Sequence, residues 1–224
     1  MTAQEPGEAL LVLVGITATA RSRRTLLRFF AGHANYRTFV PRLPFRRGLR
    51  PSARWLERYL ARTVWARERG PLHVMAYIAG GAVLRCVSES ARPPDLARVL
   101  YVRGPVQELV PAAMVRRYGR LLACLLGGRS MIDLADGWPT TLPLPRASGE
   151  QGLIVEQGVS SLARSLGLGL ESAAAASWDP EQLLRGAQAV LRVPESHDEV
   201  YTSPRLLAAA LEFFRDGRFG GTPA

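Results

Sequence analysis

Two kinds of hydrophobic pattern alternate along this chain. Short solid apolar runs, most of them ended by glycine or proline, are separated by stretches in which apolar residues return every three or four positions. The first is the signature of a strand buried on both faces, the second of an amphipathic helix. Ala9-Leu10-Leu11-Val12-Leu13-Val14 is the first such run, and Gly15 ends it. Comparable runs occupy residues 36–40, 72–77, 98–102, 153–155 and 189–193.

The intervening segments predict helices. Thr19 to Ser22 can start one, with Leu26, Leu27 and Phe30 on one face, Arg21, Arg24 and Arg28 on the other, and Gly32 at its end. Ser52, after Pro51, is expected to cap a long helix through residue 69. Further helices are expected over 82–89, 112–126 and 205–215, the last opened by Ser203-Pro204. Residues 137–149 are rich in proline and glycine and are expected to form a lid loop, whereas 159–177 show no clean period. Six strands separated by helices, without a hairpin signal, predict an α/β fold with a mainly parallel sheet. The length suits one domain over 1–224, with 1–8 and 220–224 as flexible tails.

Charge adds a direction to this picture. The net charge of +10 comes from 29 basic residues, all arginine, against 19 acids. G+C-rich coding replaces lysine by arginine without functional demand, but it does not explain placement. Residues 1–70 hold 14 arginines and four acids; residues 71–224 hold 15 of each. Within the basic third, Arg54, Arg58 and Arg62 recur every four residues on one helix face, beside Trp55 and Tyr59. This row is a candidate surface for an acidic protein partner. Nucleic acid is a weaker candidate, because no recognised binding module is present.

Other classes are disfavoured. The apolar run at 9–14 is too short for a membrane span or signal core, which points to the cytoplasm. Cys86 and Cys124 are too few for a disulfide framework or metal site. No phosphate-binding glycine loop or dinucleotide fingerprint is present, so no cofactor is expected.

The chemistry centres on Pro71-Leu72-His73-Val74-Met75-Ala76-Tyr77-Ile78-Ala79-Gly80-Gly81, a strand that breaks at small residues and enters a helix. That is the layout of a nucleophile elbow, in which G-x-S-x-G raises a serine above a parallel sheet. The nucleophile position holds Ile78, which has no atom able to attack a carbonyl. Of the three histidines, His33 ends a helix and His73 lies within the elbow strand as a packed residue. His197 stands in Val193-Pro194-Glu195-Ser196-His197-Asp198, a loop after the last strand, where a parallel-sheet hydrolase carries its base.

These motifs resemble the α/β-hydrolase superfamily over nearly the whole chain. The resemblance is to small bacterial lipase- and esterase-like members related to triacylglycerol lipases and glycolipid-anchor deacylases. Val14-Gly15-Ile16-Thr17-Ala18-Thr19-Ala20-Arg21-Ser22 is similar to those relatives' His-Gly oxyanion turn and its continuation, with valine for the histidine. Tyr77-Ile78-Ala79-Gly80-Gly81 is similar to their His-Ser-Met-Gly-Gly elbow. Ser196-His197 and Phe213-Phe214-Arg215-Asp216-Gly217-Arg218-Phe219 are similar to their closing Ser-His pair and Phe-Leu-x-x-Gly-Arg-Phe segment. The resemblance implies an acid about two dozen residues before the histidine, at Ala174 without gaps or at Asp179 after a shift of register.

With nucleophile and acid replaced, the expectation is a catalytically inactive hydrolase-like protein that acts by binding. His197 is then a vestigial base. Val14, Gly15, Ile16, Tyr77, Ile78 and Ala79 are expected to line the remaining pocket, where an apolar small molecule could sit. The alternative is an atypical esterase or lipase working through His197 and an unrecognised nucleophile.

Overall fold

The computed structural model describes residues 8–33, 36–64, 70–88, 96–175 and 188–220. Each of the six apolar runs forms a strand. These are β1 (Ala9–Leu13), β2 (Arg37–Phe39), β3 (Leu72–Tyr77), β4 (Leu96–Arg103), β5 (Gln151–Glu156) and β6 (Ala189–Val193). They make one sheet in the order β2-β1-β3-β4-β5-β6, every neighbouring pair parallel. The chain leaves β1 toward β2 on one side and returns to place β3 on the other. The crevice beyond the carboxyl ends of β1 and β3 is therefore a topological switch point, where open α/β sheets bind ligands.

The helices among the described residues are α1 (Ala20–His33), α2 (Leu49–Tyr59), α3 (Ile78–Ser88), α4 (Pro105–Gly127), α5 (Arg129–Ala135), α6 (Ser161–Ser165), α7 (Leu170–Ala175) and α8 (Pro204–Asp216). Successive β1 side chains alternate between two cores. Leu11 and Leu13 pack with Leu49 and Leu56 of α2 and Val83 of α3. Leu10, Val12 and Val14 pack with Leu26 and Phe30 of α1 and Leu206 and Phe213 of α8. Full burial of each such side chain is worth about 1.5–3 kcal/mol. A third apolar cluster, including Val110, Met114, Met131, Ile132 and Ala163, joins α4, α5, α6 and α7.

Local side-chain chemistry sets the starts of α1 and α8. Ser22 N–H donates to Thr19 Oγ1 at 3.1 Å and Thr19 N–H to Ser22 Oγ at 3.4 Å, a reciprocal cap on α1. Ser203 Oγ accepts from Leu206 N–H at 3.2 Å at the start of α8.

The start of α2 differs from expectation. Ser52 lies inside the helix, its hydroxyl donating to Gly48 O at 2.7 Å, and Leu49 N–H is capped at 2.9 Å by Asp133 of α5. A cap supplied from 84 residues away leaves no local sequence signal. The helix widens into a π turn over Leu60–Val64, and the expected continuation to residue 69 lies outside the described residues. Helix α4 begins earlier than expected, at Pro105, and is interrupted at Gly119, whose φ of 77° and ψ of 160° are non-helical.

The segment expected to form a lid is tied down along its length. Within 137–149, Arg85 of α3 donates to Thr140 O and Leu142 O at 3.0 Å, and Ser148 and Gly149 N–H bond Leu96 O and Ala97 O at 2.8 Å. The segment is strapped along the sheet from α3 to the start of β4. Its Pro139 and Thr140 line one space beside Ile78 together with Arg85 and Pro111, while α4 and α5 line the adjoining one.

Candidate functional site

The elbow is built as a sharp entry from β3 into α3, with Ile78 as the first helical residue. Gly80 permits the close crossing over β1: a Cβ there would come within 2.1 Å of the Leu13 carbonyl oxygen. Ile78 is 8% exposed and shares a cavity of ≈ 40 Å³ with Gly15, Ile16, Ala79 and His197. Val110 and Pro111 of α4 and Met131 and Leu134 of α5 also line it. That space is on the scale of one or two water molecules, at about 30 Å³ of liquid volume each.

Two of the expected pocket residues lie elsewhere. Val14 faces a separate groove with Arg23 and Arg42, and Tyr77 is fully buried in the α1–α8 core. The Tyr77 hydroxyl donates to Val200 O at 3.4 Å, and its ring lies 4.5 Å from that of Tyr201.

His197 is held in the loop after β6. Its Nδ1 lies 3.1 Å from both carboxylate oxygens of Glu156, the last residue of β5, and Glu156 is 1% exposed. The order Ile78, Glu156, His197 is the hydrolase order of nucleophile, acid and base. The carboxylate on the histidine is thus not at Ala174, an exposed residue of α7, and Asp179 lies outside the described residues. Gap-free counting failed because Glu156 precedes His197 by 41 residues, with α6 and α7 inserted between. A carboxylate ending a solid apolar run was the available signal, since such a residue reaches the carboxyl edge of the sheet.

The other side of the ring is also engaged. Tyr201 Oη lies 3.3 Å from His197 Nε2 and accepts the Gly15 N–H at 3.3 Å. The phenol thus engages both His197 Nε2 and the Gly15 amide. Gly15 is required for this approach, because a Cβ would come within 2.6 Å of the Tyr201 oxygen. Neutral His197, with its Nδ1 proton directed at Glu156, offers Nε2 as an acceptor, so Glu156, His197, Tyr201 and Gly15 form a satisfied buried chain. Sequence reasoning missed Tyr201; its spacing of four from His197 was the only hint.

Burial alone would lower the His197 pKa, but the Glu156 carboxylate outweighs it and the value is raised. Burial raises the Tyr201 pKa, and Glu156 adds to that; Tyr77 is raised for the same reasons, with Tyr201 contributing. Both therefore stay phenols, and neither is a competent nucleophile near neutral pH.

His73 is a core residue at the opposite end of the sheet, its Nε2 3.0 Å from Glu8 and its ring edge-on to Tyr36 and Phe214. Arg54, Arg58 and Arg62 are exposed, the first two on α2 and the third in its π turn. Trp55 and Tyr59 stack beside them with centroids 5.3 Å apart. Among the described residues no helix is long and apolar enough to cross a membrane, and no three His, Cys, Asp or Glu side chains group as metal ligands.

No protein-family model and no curated protein sequence matches the chain. Solved structures are similar over nearly its whole length. A putative aryl esterase from Burkholderia cenocepacia has a TM-score of 0.58 at 13% identity, covering 95% of this chain and 92% of its own. A thermophilic esterase from Thermogutta terrifontis has 0.56 at 14%, covering 93% and 90%. Epoxide hydrolases of the α/β-hydrolase superfamily, from metagenomes of hot environments, give 0.52 at 16%, covering 94% and 91%. With the elbow, the switch-point crevice and the acid–histidine order, these likenesses give the chain the fold of the α/β-hydrolase superfamily.

Proposed function

We propose that this chain is a non-catalytic binding protein built on the α/β-hydrolase fold. One observation carries the reading. His197 Nε2, the atom that would take a nucleophile's proton, faces the Tyr201 hydroxyl, which also occupies the Gly15 amide. Ile78 at the elbow leaves no attacking group.

The cavity above Ile78, at ≈ 40 Å³, argues against a sizeable apolar ligand there unless α5 moves. A protein partner is therefore the favoured occupant of the molecule's surface. Exposed Arg54, Arg58 and Arg62 offer a row of guanidinium groups for an acidic one.

A fluorophosphonate probe and a panel of short acyl esters test the reading. The expected result is neither labelling nor turnover. The intact Glu156–His197 pair is what a residual esterase would use, so labelling that disappears in His197→Ala would overturn the proposal.

A further inference from the structure

Beyond Gly119, the second half of α4 turns its apolar side outward. Leu121, Leu122, Leu125 and Leu126 are 78%, 43%, 64% and 60% exposed. Their spacing, one and then three residues apart, puts them on one stripe. Single exposed leucines are ordinary, but a contiguous stripe of this kind marks a contact surface.

The surroundings of the stripe are basic. At its carboxyl end Gly128 packs against the backbone of Arg46: a Cβ on Gly128 would lie 2.6 Å from Arg46 Cα. A groove of ≈ 630 Å³ opens there, lined by Leu126, Arg23, Arg42 and Arg46. Exposed Arg116 and Arg117 precede the stripe in the chain, across the break at Gly119. Arg120 contributes little, because Asp136 pairs with it at 2.7 and 2.9 Å.

We propose that this face docks on an anionic lipid bilayer, with the leucines entering the acyl boundary and Arg23, Arg42 and Arg46 meeting lipid phosphates. A protruding apolar ridge bordered by arginines matches what an interfacial helix presents to a negatively charged leaflet. A second copy is a poorer occupant, because two-fold pairing of this patch would bring like-charged guanidinium groups together. The inference goes beyond the proposed loss of catalysis and does not depend on it.

Vesicle flotation with the full chain tests it, using phosphatidylcholine with and without phosphatidylglycerol. The expected result is co-flotation only with the anionic vesicles, weakened by salt. Leu121→Ser with Leu125→Ser, both exposed and so compatible with folding, should abolish it. Arg42→Gln with Arg46→Gln should reduce binding roughly tenfold or more. Absence of co-flotation, or binding unchanged in either variant, overturns the proposal. So does sedimentation showing a wild-type dimer that the leucine variant converts to monomer, because the stripe would then be a self-interface.

Discussion

Two buried histidines, each beside a glutamate, lie at opposite ends of the sheet and behave oppositely. His73 is 2% exposed and His197 6%, so ring burial does not separate them. Their carboxylates do. Glu8 is 52% exposed, whereas Glu156 is 1% exposed and offers both oxygens to Nδ1. Burial lowers the His73 pKa, with Glu8 only partly offsetting it; at His197 Glu156 overcomes the same penalty. Water screens the first pair and is excluded from the second. Among the described residues His73 Nδ1 also has no hydrogen-bond partner, while Tyr201 satisfies His197 Nε2. The same two residue types make a packing pair in one place and a preorganised network in the other.

The largest expected effect is on the inner pair. Glu156→Ala strands His197 in an apolar interior and should cost about 3–5 kcal/mol in urea unfolding. Glu8→Ala should cost at most about 1 kcal/mol. Equal losses would break the comparison.

Tyr201→Phe removes one hydroxyl from two buried partners and should cost about 1–3 kcal/mol. The same change frees Nε2, so Ile78→Ser combined with Tyr201→Phe should acquire fluorophosphonate labelling that neither the wild type nor Tyr201→Phe shows. If the double variant stays inert, His197 is not poised toward position 78.

Ring titration by NMR sharpens the contrast. The His197 midpoint should lie above the unfolded value of about 6.5 and that of His73 below it. The signs for stability then differ. His197's contribution is complete below about pH 6.5 and declines as pH rises through its folded-state value. His73's is complete above about pH 6.5 and declines as pH falls toward its lowered folded-state value. Replacing each by Gln and measuring unfolding across pH separates the two slopes.

The smallest stability effect belongs to the surface. Arg54→Gln, Arg58→Gln and Arg62→Gln together should change stability by less than about 0.5 kcal/mol. They should nevertheless weaken capture of an acidic partner and its salt dependence; undiminished capture would remove this row from the proposed binding surface.

Much of this was legible from local pattern. Solid apolar runs identify strands because a parallel sheet buries both faces, and the small residues Ala79-Gly80-Gly81 identify the elbow because α3 must pass so close to Leu13. Ile78 announced its own inability to attack. What the chain alone could not decide depended on contacts between distant segments. Glu156 meets His197 across 41 residues, Tyr201 meets Gly15 across 186, and Asp133 caps α2 across 84. Residues 137–149 have a lid's composition, but only the fold shows that Arg85 straps them down and that Pro139 and Thr140 meet α4 and α5 beside Ile78. Composition and periodicity report what a segment buries and how it turns; which partner it meets is settled only when the sheet brings the ends of β1, β3, β5 and β6 together.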